Sequence, residues 1–433
     1  MAILALAWLP VAGQSSGYLG PQILSRGGSV GSRPGDYVGF SFYAGVYGTY
    51  ETGIVPTSVD SQGHIIDQQS LVGVGLDIGA YGRKTWRHTT VGLDYRGDFR
   101  HYVGNPYYDG SDHAVALAVA TQTSRRLQFH GVVDAGTMSR YYVEGPASST
   151  ELLSTPNYGI FDDRTYFLET NVGLTYQANA RLSYSASGVG FFVRRQNTAL
   201  IGLNGYGAQG EVAYRLSRTR TIFGTYGYTH YDYPHGFGES DIQTYMLGIG
   251  QALGRRWVAS VSAGASQIST IGLEQVAVDP ITAALFGIPI STQAFSRTVV
   301  IAAGRADLSG KFKHSTVNIF YSQMPSPGNG VYLTSKSSDM GGSYSYLGIR
   351  RTALSASVMY TRLSSIGQQQ LGTYSHAGAG ASCSYKILGS LEASANYDLR
   401  NVQIDQTNGF SRLSYSVRFG LNFHPGELPI SLW

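Results

Sequence analysis

The residues of this sequence best placed to do chemistry are charged and stand two apart. Asp94, Arg96, Asp98 and Arg100 occupy alternate positions of the run TTVGLDYRGDFRHY. In an extended chain that spacing puts all four on one face, where acids and bases can pair or can orient a polar solute. Arrangements for covalent chemistry are missing. Ser111, Asp112 and His113 are adjacent, so a strand would point neighbours to opposite faces, and they do not assemble as nucleophile and base. No GxSxG, HExxH or phosphate-binding loop occurs. The segment YYDGSD (Tyr107–Asp112) carries oxygens suited to a hard cation, but its spacing is looser than a calcium loop requires. The single cysteine, Cys383, allows no intramolecular disulfide and no cysteine zinc cluster; a buried, inert thiol is expected there. The reading is of a protein that is not an enzyme and has no catalytic, cofactor-binding or metal site.

The elements that must position these charges are strands. In SRLSYSVRFGLNF, Leu413, Tyr415, Val417, Phe419, Leu421 and Phe423 alternate with Arg412, Ser414, Ser416, Arg418, Gly420 and Asn422. The same period of two runs through Thr90–Phe99, Thr165–Gln177 and Leu391–Arg400, and over ten or more residues it signals strands with two different faces. Such strands exceed the usual five or six residues of globular sheets. About eighteen segments of this kind span the chain, with sixteen as the alternative count. Connections alternate between tight turns, such as Ser124–Arg125 and Ser217–Arg218, and longer loops, of which Glu51–Gln69, Val143–Asp163, Ile268–Ala294 and Pro325–Ser338 are the largest.

Composition narrows the class. Charged residues are 13% of the chain, about half the roughly 25% of a soluble protein, while Gly numbers 56, Tyr 32 and apolar content is an ordinary 42%. The net charge of +4 without a Lys/Arg-rich run excludes a nucleic-acid partner. Residues Ile3–Ala12 form an apolar run of signal-peptide length, too short to cross a bilayer as a helix. Residues 1–13 therefore read as a signal peptide truncated at its start, and 14–35 as a segment between it and the first strand. An open sheet of this many strands would expose its edges; closing it removes them.

On these alternating runs and alternating connections, the chain is similar to a bacterial outer-membrane β-barrel of the porin or porin-like channel type. The resemblance implies an all-β fold: a periplasmic N-terminal segment at 14–35, then a transmembrane, antiparallel, up-and-down β-barrel over 36–424, with short periplasmic turns and long external loops. It implies residence in the outer membrane of a Gram-negative-type bacterium, and a final strand ending in Phe423 that the barrel assembly machinery recognises. The chain continues HPGELPISLW, so 425–433 is either a periplasmic tail or contains the true final segment at Leu428–Trp433. The apolar set of the last strand would meet lipid and Arg412 through Asn422 the lumen. Outer-membrane lipids are then partners, and bands such as Val115, Leu117 and Val119 suit lipid and homotrimer contacts equally.

The implied function is passive or selective diffusion of small polar solutes through a water-filled lumen. The alternatives are a polysaccharide or polymer export barrel, a rim-site enzyme or a surface adhesin. Lumen-facing candidates are Asp94, Arg96, Asp98, Arg100, His130, Asp134, Arg140, Glu169, Arg305, Asp307, Asp398, Arg400, Arg412 and Arg418. In general porins the third external loop narrows the barrel; here that loop, Val143–Asp163, carries Glu144, Glu151, Asp162 and Asp163 as constriction candidates. Ile268–Ala294 is too apolar for a solvated loop and is expected to pack into the lumen, the rim or a partner. Tyr43, Tyr47, Tyr102, Tyr141, Tyr142, Tyr231 and Tyr233 are expected in interfacial aromatic girdles. Arg83, Lys84, Arg125, Arg126, Arg218, Arg255, Arg256, Lys311, Lys313, Arg350 and Arg351 cluster at the short-turn end.

Overall fold

The computed structural model describes residues 37–52, 70–104, 109–138, 164–196, 200–234, 236–277, 290–328, 333–366, 372–405, 410–426 and 428–431. They form one antiparallel sheet that closes on itself. Its first half comprises β1 (Tyr37–Thr52), β2 (Ser70–Thr85), β3 (Thr89–Tyr102), β4 (Gly110–Gln122), β5 (Leu127–Met138), β6 (Thr165–Gln177), β7 (Leu182–Arg195), β8 (Leu203–Arg215) and β9 (Arg220–Asp232). The second half is β10 (Gly238–Leu253), β11 (Trp257–Ala277), β12 (Ile290–Lys311), β13 (Ser315–Ser326), β14 (Ser335–Tyr346), β15 (Thr352–Ser365), β16 (Thr373–Lys386), β17 (Leu391–Asp405) and β18 (Phe410–Phe423), followed by a short β19 (Leu428–Ser431). Each strand pairs with its neighbour in sequence, and β18 returns to β1 from Ala44↔Phe423 to Glu51↔Ser416. Closure gives each of β1 to β18 a partner strand on both sides, which is what a sheet in lipid requires, since lipid cannot hydrogen-bond to backbone.

The tail takes part in this seam. Leu428–Ser431 pairs with Phe40–Tyr37, extending the β18 edge along β1. Four residues (424–427) stand opposite three (41–43), so the junction is a bulge of one extra residue. Gly426 takes φ 95° within it, a conformation that suits glycine.

Residues paired across a ladder share a face, so one assignment propagates around the ring. Leu93 pairs with Leu117, Leu117 with Val133, and all three are exposed on the outer surface. Leu413, Phe419, Leu421 and Phe423 are exposed on the same surface of β18. The outer aromatic band is built from Tyr166, Tyr176, Tyr184, Tyr214, Tyr226, Tyr245, Tyr344, Tyr385 and Tyr397, all exposed. This corrects the girdle expected from the sequence. Tyr43, Tyr47, Tyr102, Tyr231 and Tyr233 stand on the inner parity, and Tyr102 and Tyr231 are fully buried. Proximity to a strand end does not decide the face; a one-residue offset reverses it. Tyr141 and Tyr142 lie outside the described residues.

Three further expectations change. Cys383 is exposed, not buried, because its parity places it on the outer surface of β16. Much of Ile268–Ala294 is strand: β11 and β12 remain paired up to Ala277↔Ile290. Ile268, Ile271 and Leu273 stand in β11, and 278–289 lie outside the described residues. The connection expected over Pro325–Ser338 shrinks to 327–334 between β13 and β14. Arg83 and Lys84 at the foot of β2, with Arg125, Arg126, Arg218, Arg255, Arg256, Lys311, Lys313, Arg350 and Arg351, are at the short-turn end.

Candidate functional site

The densest group of charges on the inner wall lies in an arc from β17 through β18, β1, β2 and β3 to β4. Register places Asp77 beside Asp98 and Asp98 beside Asp112, three carboxylates in a row across β2, β3 and β4. Three like charges would repel at this spacing, and two guanidinium groups prevent it. The Arg100 side chain, 1% exposed, sets Nη2 at 2.7 Å from Asp112 Oδ2 and Nη1 at 3.2 Å from Asp98 Oδ1. Arg418 of β18 lies 3.9 Å from Asp98 Oδ2, and its guanidinium sits 4.0 Å over the Tyr47 ring. The Tyr47 hydroxyl donates to Asp98 Oδ2 at 2.6 Å. Its ring can lie flat because its register partner is Gly75, where an added Cβ would fall 2.1 Å from the ring. Lower on β3, Arg96 Nε donates to Asp94 Oδ2 at 3.2 Å.

The remaining sequence candidates have these places. Asp398, Arg400, Arg412 and Arg418 stand on the inner parity of β17 and β18, where Asp398 pairs with Ser416 and Arg400 with Ser414. Arg305 Nε donates to Asp307 Oδ2 at 2.7 Å on β12. Asp134 of β5 is the register partner of Glu169 on β6, and His130 lies over Gly173 of the same strand. Arg140, Glu144, Glu151, Asp162 and Asp163 lie outside the described residues. Asp77, Asp112, Glu51, Glu211 and Asp339 also face inward and were not named as lumen-facing from sequence, although the period-two rule covers them: Asp77 alternates with Leu76 and Ile78, Glu211 with Val212. Beyond the strands, Asp109 accepts the Tyr102 N–H at 2.7 Å and lies 2.6 Å from His101 Nδ1. That backbone hydrogen bond, then the imidazole, hold its carboxyl below the usual carboxylate range.

Across the barrel the inner wall of β7 to β11 is apolar toward the long-loop end. Val189, Phe191, Val193, Leu203, Tyr231, Ile242 and Ile268 form a buried cluster there, completed by Tyr233 just beyond β9. Apolar residues on an inner wall need a cover, and part of it comes from the β13–β14 connection. The β12–β13 ladder stops at Gly304↔Gln323, while β13 continues to Ser326 paired only with β14. From that point the tip of the β13–β14 hairpin leaves the wall and reaches the inner face of β9 and β10. Met324 packs with Ala303 and Met246, and Leu333 packs against the apolar cluster. The Tyr233 hydroxyl bonds the Pro327 carbonyl at 3.2 Å and the Thr334 hydroxyl at 3.0 Å, and Ser240 bonds Thr334 as well. Ile366, just beyond β15, also packs on the cluster, and its carbonyl accepts from Arg297 at 3.4 Å.

Burial of inner side chains is not confined to one end: Thr175, Ser183 and Ala213 are buried near the short turns. Toward the long-loop end the inner positions Ser240, Thr244, Ser266, Thr270, Ser335, Thr361 and His376 are buried. Toward the short-turn end inner serines and glycines, including Ser262, Gly250, Ser357 and Gly380, remain partly accessible.

A closed ring, apolar and aromatic outside and polar within, has one solvent that fits its outer face. The molecule is a transmembrane β-barrel of the outer-membrane type. No family model matches the chain, and no curated protein matches it. Among solved structures the barrel is similar to Pseudomonas aeruginosa OpdQ, at 10% identity and TM-score 0.43 over 92% of this chain and 98% of that one. It is also similar to Pseudomonas aeruginosa OccK2 (OpdF) in complex with glucuronate, at 12% identity and TM-score 0.43 over 90% and 98%. The unliganded ferric citrate transporter FecA is similar at 8% identity and TM-score 0.46, over 89% of this chain and 78% of that one. The class of this barrel rests on its own closed ladder and two-faced strands.

Proposed function

We propose that the barrel is a diffusion channel for small polar solutes, and that the tip of the β13–β14 hairpin forms part of its constriction. The observation that carries the reading is the inner wall: polar and small-residue in the short-turn half, lined by an ion-paired arc, and entered by a hairpin tip in the long-loop half. Barrels of about eighteen strands are too wide for their own side chains to fill, so a narrowing element is what would give such a channel a size limit. The pairing of Arg96, Arg100, Arg305 and Arg418 with carboxylates weighs against an unpaired cationic lumen for export of an anionic polymer. The ion-paired network is a wall structure in which no nucleophile and base are set apart for catalysis. In this reading the short turns face the periplasm and the hairpin tip guards the external mouth.

The test is single-channel recording of the refolded barrel in a planar bilayer. Steady conductance is expected from the native chain. Replacing Gly328–Leu333 by two glycines removes the apolar anchor and is expected to raise conductance roughly twofold, because current follows the open cross-section. A Tyr233→Phe, Ser240→Ala variant keeps the tip but removes hydroxyls that bind it, and is expected to flicker between the two levels. No current from the native and shortened chains alike would overturn the channel reading. Equal currents from both would remove the hairpin from the constriction.

A further inference from the structure

We infer that Glu211 binds a cationic group, an alkali ion or the ammonium of a solute, on the inner wall of β8. The inference rests on the channel reading and adds a charge preference to it. Several inner acids of the barrel are neutralised within the wall: Asp94, Asp98, Asp112 and Asp307 each have an arginine within 3.2 Å or less. Glu211 does not. Its Oε1 is shielded from solvent and has no hydrogen-bond partner, while the residue as a whole stays partly accessible.

Register explains why the wall offers it nothing. Glu211 pairs with Ser185 of β7 and Thr225 of β9. The flanking inner positions on these three strands are Ser183, Ser187, Gln209, Ala213, Phe223 and Gly227, with no positive charge among them. Arg215 is the nearest inner cation on β8 itself, four residues away, which is about 13 Å along an extended strand. An ionised carboxylate taken out of water without a partner is costly. The hydroxyl of Thr225, directly across the ladder, is also shielded and without a partner. Two such oxygens on register-paired residues of the inner wall make a small acceptor pair, of the kind that takes a compact monovalent cation.

The first measurement is the reversal potential in a KCl gradient. The native channel is expected to prefer K+ over Cl−, and Glu211→Gln, which keeps size and shape, is expected to lower that permeability ratio several-fold. Thr225→Val should give a smaller reduction. An unchanged reversal potential in Glu211→Gln overturns the inference while leaving the channel reading intact. The second measurement needs no current. In detergent, ethylammonium chloride and potassium chloride are compared at equal ionic strength for their effect on the unfolding temperature. A rise in the native chain that is absent in Glu211→Gln supports the site, and the more effective salt identifies the source of the cation. Equal responses of the two proteins to both salts overturn it, whether or not the barrel conducts.

Discussion

Arg100→Ala is expected to destabilise the barrel by about 3–5 kcal/mol, the usual cost of stripping one partner from a buried ion pair. The cause is local and specific. Arg100 is the cation between Asp98 and Asp112, and its side chain is 1% exposed, so little water is available to replace it. Without it, Asp77, Asp98 and Asp112 stand in a row with Arg418, 3.9 Å from Asp98, left as counter-charge. Equilibrium unfolding in urea, from lipid vesicles and followed by tryptophan fluorescence, measures the loss. A double-mutant cycle refines it: Asp112→Ala relieves part of the repulsion, so the double variant should be less destabilised than the sum of the singles. A change under about 1 kcal/mol for Arg100→Ala would place the pair with exposed surface bridges and remove the arc's structural role.

The second large effect contrasts neighbours. Val358→Arg is expected to cost about 2–4 kcal/mol, since the residue is 59% exposed on the outer face midway along β15 and would carry a charge into lipid. Ser357→Arg, one residue away, should change stability by less than about 1 kcal/mol, because it faces the barrel interior next to Gly380 and the Asp398 strand. The same unfolding assay reads both. The difference between the two sites, more than either value, tests the assignment of faces. Equal costs would mean that this part of β15 does not meet lipid.

Both predictions draw on a pattern carried by the amino-acid sequence itself. The period of two identifies the strands, and the need to satisfy every backbone group in lipid turns so many strands into a closed barrel. The same pattern assigns a face to residues in the middle of a strand. Asp94, Arg96, Asp98 and Arg100 face inward, and Leu413, Phe419 and Phe423 face out, because alternation there is unbroken. Tight turns and long connections also set chain-order neighbours beside one another, so the topology is legible as well.

What the chain by itself does not decide lies at strand ends and across ladders. Tyr231 and Tyr233 have the position of girdle residues, but their parity, set by the register of β8, β9 and β10, turns them inward onto the apolar cluster. Which charge meets which depends on register between strands, so Arg100 between Asp98 and Asp112 emerges only once β3 is aligned with β4. The same kind of alignment leaves Glu211 between a serine and a threonine. The inward turn of the β13–β14 tip depends on contacts some 90 to 100 residues apart in sequence, Tyr233 to Pro327 and Thr334. Local alternation determines which face a side chain takes; only the closed tertiary structure decides what it meets there, because the partner is chosen by packing across the ring.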